Sequence, residues 1–239
     1  ETTSAKETAT TVEESVTEET AEATQEPQQN ETEPETEPET EPPRTEPAPP
    51  PEPVQQEEHE NSVTYSEPEP TYINGILIVN KTYALPSSYG GGADPTALAA
   101  VNEMIAAAAE EGLNLFIISG YRSYDKQANI YRNYVARDGQ AAADRYSARP
   151  GHSEHQTGLA FDMNSIEQSF AETPEGIWLA ENCSRFGFII HYTKENEPIT
   201  GYMYEPWHVR YLGVDIAQQV EASGLCLEAY LGITSQYSE

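Results

Sequence analysis

The chain is 239 residues long and carries a formal net charge of −29. That balance argues against binding nucleic acid or anionic lipid through a basic patch. No apolar run approaches the roughly 20 residues of a membrane helix. The charge is uneven: residues 1–70 hold 21 of the 41 acidic residues and 12 of the 18 prolines, with only Lys6 and Arg44 as cations. The remaining 169 residues carry 20 acidic and 10 basic side chains, the balance of one ordinary globular domain with a sizeable core.

Residues 1–70 contain few large apolar side chains and cannot offset the entropy lost on ordering, so disorder is expected. Glu31 to Pro42 is a Glu-Thr-Glu-Pro repeat, in which proline and like-charge repulsion favour an extended spacer. The chain starts without methionine or an apolar export segment. It is therefore expected to be a mature or truncated product whose missing N-terminal anchor tethers it to a membrane or wall.

Residues 71–239 form the second expected unit. Ile76 to Val79 is a short buried strand. Asp94-Pro95 starts an alanine-rich helix to about Glu110, since aspartate caps and proline suits the first helical position. Leu113 to Ile118 is a strand, Ser123 to Arg137 a helix, and residues 139–146 a further helical stretch after a break at Gly139. Leu159 to Met163 alternates as a strand, with Phe161 and Asp162 on opposite faces. Glu175 to Phe186 is a helix, Phe188 to Tyr192 a strand, Val209 and Tyr211 flank another, and Val214 to Ala222 is a closing helix. Helices and short strands without repeated β-α-β units predict an α+β fold, with a small antiparallel sheet flanked by helices. Cys183 and Cys226 are expected to be buried thiols.

The chemistry lies in a split cluster. Ser153-Glu154-His155-Gln156-Thr157-Gly158-Leu159-Ala160-Phe161-Asp162 is followed by Glu205-Pro206-Trp207-His208. Two histidines and a carboxylate leave one position of a tetrahedral zinc open to water. Glu205, three residues before His208, supplies an unliganded base, as metal-assisted hydrolysis requires. This spacing is not one of the sequential zinc motifs. His152 is expected to be a loop or second-layer histidine, and His191 a rim residue.

Ser153-x-His155-x-x-Gly158-x-Ala160-x-Asp162 with Glu205-x-Trp207-His208 resembles the VanY-type zinc D-alanyl-D-alanine carboxypeptidases of bacterial cell walls. Ser119-Gly120-Tyr121-Arg122-Ser123 and Arg149-Pro150-Gly151-His152-Ser153 fit two more of their motifs, in the same order. The resemblance spans residues 72–232 and implies the fold shared by these peptidases and the hedgehog amino-terminal domain. It implies Zn²⁺ on His155, Asp162 and His208, with Glu205 as general base. Arg122 would face the scissile carbonyl or the terminal carboxylate. Ser153 and Gln127 would be further donors, and Trp207 would wall the pocket and fix the ring of His208.

The implied activity is removal of the C-terminal D-alanine from peptidoglycan stem peptides, across a D,D or an L,D bond. The enzyme is expected to be an extracellular monomer, tethered or secreted. Two alternatives remain open: a peptidoglycan endopeptidase, or a catalytically silent zinc-containing wall-binding module. Retention of Glu205 and Arg122 beside all three ligands argues against the silent module. A structural zinc site would close with a fourth ligand, often cysteine, and neither cysteine is near these motifs.

Overall fold

The computed structural model describes residues 66–238. The acidic segment read as a spacer therefore lies outside the described residues, apart from its last five. Among those, Glu67 accepts hydrogen bonds from the Ser87 amide (3.1 Å) and hydroxyl (2.6 Å). Regular structure starts with β1 (Thr71–Ile73), paired antiparallel with β2 (Ile76–Ile78). Only the second of these strands was expected. Their turn, Asn74-Gly75, has positive φ at both residues (52° and 81°), the conformation that a two-residue hairpin turn demands.

Helix α1 (Pro95–Glu110) begins as its sequence predicts, with the Asp94 carboxylate accepting from the Thr96 and Ala97 amides. Its buried residues Ala97, Val101, Met104 and Ala108 recur every three or four positions and form one apolar stripe. Helices α2 (Tyr124–Asp138) and α3 (Gln140–Tyr146) divide at Gly139, where φ is 80°. The expected helix to Phe186 is shorter: α4 (Pro174–Asn182) gives way to a 3₁₀ turn, Cys183–Phe186, ended by left-handed Gly187. The tighter turn closes the helix end against the next strand. Helices α5 (Glu197–Thr200), α6 (Val214–Ser223) and α7 (Leu227–Leu231) complete the set. Both α5 and α7 are too short to leave a periodic signal, and neither was anticipated.

Strands β3 (Ile117–Ser119), β4 (Ala160–Met163), β5 (Phe188–Ile190) and β6 (His208–Tyr211) make an antiparallel sheet in the order β3-β4-β6-β5. Alternation gives this sheet two different faces. Phe161 and Met163 of β4 and Val209 of β6 join the α1 stripe, Trp178 and Leu179 in the main core. Each such side chain contributes about 1.5–3 kcal/mol on burial. Asp162, His208 and Arg210 occupy the opposite face. In register, Asp162 lies directly across from His208, and Ala160 from Arg210. Cys183 and Cys226 are buried and free. Among the described residues no helix is long and apolar enough to cross a membrane.

Candidate metal centre

Antiparallel pairing places Asp162 and His208 side by side; the third donor arrives on the 3₁₀ turn Glu154–Thr157 that precedes β4. That turn ends at Gly158, with φ 75°, where a Cβ would collide with the Gly92 carbonyl oxygen. Only glycine tolerates both the left-handed backbone and this close approach. The His155 carbonyl accepts from the Arg122 amide (3.1 Å), which stitches the turn to the Ser119–Ser123 segment.

The ring orientations follow from two hydrogen bonds. His155 donates from Nδ1 to the Gly120 carbonyl (2.7 Å), so its Nε2 lone pair faces Asp162 Oδ2 at 3.1 Å. His208 donates from Nε2 to Glu154 Oε2 (3.0 Å), so Nδ1 faces Asp162 Oδ1 at 3.0 Å. One donor atom from each of His155, Asp162 and His208 lies within 4.8 Å of the others, and all three residues are buried. The chemistry of this set fits a divalent cation such as zinc: two imidazole nitrogens, a carboxylate and room for a fourth ligand.

The electrostatics fit as well. Burial works against a charged His208, yet its bonds to Asp162 and Glu154 outweigh that and carry its pKa up to about 9, so a cation at Nδ1 would take the place of a proton. Burial would raise Asp162, but His155 and His208 hold it far below the usual carboxylate range. Burial lowers the pKa of His155, keeping that ring neutral and able to coordinate. The cluster draws positive charge to the place where the three donors converge.

Beside the triad opens a cleft of about 680 Å³, lined by Arg122, Ser153, Glu205, Trp207, Tyr192 and Tyr202 among others. Glu205 and His208 sit on a tight turn, as expected: the His208 amide donates to the Glu205 carbonyl (3.1 Å), and the Glu205 amide to the Tyr192 carbonyl (2.9 Å). Glu205 is half-buried and outside the donor set. Desolvation pushes its carboxyl up to about 8; His208 and Arg122 pull it down, while Asp162 and Glu154 push it up. Arg122 donates to Ser119 Oγ (3.1 Å) and lies 3.5 Å from Asp162 Oδ2.

Three expected roles look different in three dimensions. Gln127, read as a substrate donor, is buried and does not line the cleft. Its Oε1 accepts from Arg122 (2.9 Å), while its amide donates to the Ala148 carbonyl (2.7 Å) and Ser147 Oγ (3.3 Å). It holds Arg122 instead, its amide taken up by Arg122, Ser147 and Ala148. His191, read as a rim residue, is fully buried between Glu154 and Glu228 (2.9 Å each), and both carboxylates lift its pKa to about 10 against burial. The His208 ring is stacked not on Trp207 but on Tyr192, at 5.0 Å. His152 lies in its loop, bonded through Nδ1 to the Asn80 carbonyl (2.8 Å). Glu154, assigned no role from sequence, is the principal omission; between two motif residues it carried no signal of its own.

The comparisons agree with this geometry. A family model described as VanY, D-alanyl-D-alanine carboxypeptidase, matches residues 92–214. A putative carboxypeptidase, YodJ, of Bacillus subtilis (strain 168) is 38% identical over 196 residues, covering 70% of this chain and 69% of that protein. The solved LdcB LD-carboxypeptidase superposes with a TM-score of 0.63 at 44% identity, covering 68% of this chain and 89% of that one. A vancomycin-resistance D,D-pentapeptidase, VanY, solved in complex with Zn(II), gives a TM-score of 0.58 at 35% identity, covering 64% of this chain and 97% of that one. Four motifs in order and a three-donor centre beside a cleft that also holds an unliganded glutamate converge with these similarities: the chain belongs to the VanY family of D-alanyl-D-alanine carboxypeptidases.

Proposed function

We propose that this protein is a zinc-dependent carboxypeptidase that releases the C-terminal D-alanine of peptidoglycan stem peptides. The observation that carries the reading is the convergence of His155, Asp162 and His208 on one wall of a cleft that also holds Glu205 and Arg122. Zinc bound by His155, Asp162 and His208 would supply Lewis acidity and a more acidic water.

The chain's own residues do the rest. Glu205 accepts a proton from the attacking water as its oxygen bonds to the scissile carbonyl carbon. It returns that proton to the nitrogen of the departing D-alanine as the C–N bond breaks. A carboxyl pushed up to about 8 is poised to give back what it takes, and added positive charge at the donor atoms would lower that pKa and favour the ionised form that accepts the proton. Arg122, held by Gln127 and Ser119, directs its fixed fork of donors at the carbonyl oxygen or terminal carboxylate. Ser153 also lines the cleft, where its hydroxyl can serve the same carboxylate.

The L,D bond is the favoured target. Identity to the solved LD-carboxypeptidase is 44%, against 35% for the D,D-pentapeptidase. Because the substrate lies outside the cytoplasmic membrane, we further infer a surface-tethered or secreted enzyme. The test is incubation with synthetic stem tetrapeptide and pentapeptide, with and without a chelator, and identification of products by mass. Chelator-sensitive release of one D-alanine, faster from the tetrapeptide, is the expected outcome. Internal fragments would make it an endopeptidase, and no cleavage despite bound zinc would leave a binding module.

A further inference from the structure

Behind the metal centre, on the side away from the core, lies a chain of buried charged groups for which the hydrolytic mechanism has no use. Glu154 Oε2 accepts from His208 Nε2 (3.0 Å) and from His191 Nδ1 (2.9 Å), and its Oε1 accepts from an Arg210 guanidinium nitrogen (2.5 Å). His191 also donates from Nε2 to Glu228 Oε2 (2.9 Å), and Glu228 Oε1 accepts from Asn80 Nδ2 (3.1 Å). The other end of the Arg210 guanidinium donates to the Leu77 carbonyl (2.7 Å). Glu154, His191 and Arg210 have side chains only 1% exposed. Residues of β2, β5, β6 and α7, or adjoining them, thus converge on a single carboxylate beside His208.

We propose that Glu154, braced by Arg210 and by the His191–Glu228 pair, is the positioning residue of the metal centre, accepting the Nε2 proton of His208 and so presenting Nδ1 as the ligand atom. The inference rests on the zinc reading given above and deepens it. Three observations support it. First, the two histidine ligands are oriented differently: His155 by a backbone carbonyl, His208 by a side-chain charge. A carboxylate acceptor makes an imidazole a stronger donor to metal than a carbonyl does, and fixes its tautomer.

Second, the ring of His208 is fixed in two directions. Glu154 sets its rotation in the plane, and Tyr192, stacked on it at 5.0 Å and 24°, sets the plane itself. Tyr192 stacks on His191 too, at 4.5 Å and 15°, so the brace and the ligand share one wall. Third, burying two carboxylates, an imidazolium and a guanidinium costs several kcal/mol per ion before their mutual attraction is counted. Apolar side chains of similar volume would serve stability at least as well. What they could not do is hold an imidazole by a specific proton.

The test compares wild type, Glu154→Gln and a control, Val220→Ala, whose side chain packs in the separate cluster between α6 and β2. Glu154→Gln keeps the size but removes the charge on which three donors converge. Zinc affinity, read by chelator competition, is expected to fall 10–100-fold in Glu154→Gln. In the same variant kcat should fall with little change in KM, since Glu154 acts on the metal ligand and not on the peptide. Val220→Ala should lower the melting temperature while leaving both zinc affinity and kcat unchanged. A folded Glu154→Gln that binds zinc within twofold of wild type would overturn the proposal.

Should that variant fail to fold, the imidazole ¹⁵N spectrum of zinc-loaded wild type decides. His208 must be the Nε2–H tautomer, and an Nδ1–H tautomer would reject the role of Glu154. Failure of the wild type to bind zinc at all sinks the metal reading itself, so the two failures are distinguishable.

Discussion

At the scale of single residues, the site is made of groups whose partners decide their roles. Glu205 stands outside the three-donor set and lines the open cleft, as a proton carrier must. Replacing it by alanine should leave zinc content unchanged while kcat drops by about 10²–10⁴-fold, the usual contribution of a positioned acid–base group. Metal analysis and steady-state kinetics on one preparation check this, and substantial remaining turnover would remove Glu205 as the base. The residues misread from sequence, Gln127 and His191, share a physical cause. Each is polar and was placed by default at a surface, yet each is buried and bonded to distant partners: Gln127 to Ser147, 20 residues away, and His191 to Glu154 and Glu228, each 37 residues away. Residue type announces what a side chain can donate or accept, and says nothing of which distant group will meet it.

At the scale of elements, local signals were sound where the chemistry is local. Asp94-Pro95 at the start of α1, Gly139 between α2 and α3, and Gly224 after α6 all stand where capping and glycine conformation require. The start of α1 also serves the site: the Asp94 amide donates to the Gly158 carbonyl (2.9 Å), just beyond the turn that carries His155. Asp94→Ala removes the cap to Thr96 and Ala97 while keeping that backbone bond. It should cost about 1 kcal/mol, lowering the melting temperature by roughly 2–4 °C, with kcat retained. A thermal melt beside an assay tests both halves, and a large loss of activity would show that the carboxylate itself supports the site. What the elements did not announce was pairing. That β4 lies between β3 and β6, with Asp162 opposite His208, depends on contacts across 46 residues of chain.

For the whole molecule, the buried charge network gives stability a dependence on pH whose sign can be worked out. Burial lowers the pKa of His191, but Glu154 and Glu228 outweigh it and raise it from 6.5 to about 10. Its stabilisation is therefore complete below pH 6.5 and is lost as pH rises through about 10. Burial alone would raise Glu228 and Glu154, but His191 chiefly, with Arg210 for Glu154, depresses both below 4.5. Their stabilisation is present above 4.5 and is lost as pH falls. Unfolding free energy, measured at fixed free zinc, should thus be greatest between these limits and decline on both sides, with His191→Gln flattening the alkaline limb. A wild-type alkaline limb already flat to pH 10 would show that His191 is not held as an imidazolium. Removing the metal should lower the melting temperature at every pH, because zinc binds only the folded arrangement of the three donors. The amino-acid sequence by itself determined the fold class and most helices and strands of residues 71–239, though not β1, α5 or α7, and its motifs singled out His155, Asp162, His208, Glu205 and Arg122 as candidates, because capping, alternation and ligand type are properties of short stretches. Tertiary structure alone decided that Gln127 braces Arg122, that Tyr192 walls His208, and that Glu154 stands behind it with Arg210, His191 and Glu228. A buried polar group takes its meaning from partners far along the chain, and only the packed fold selects them.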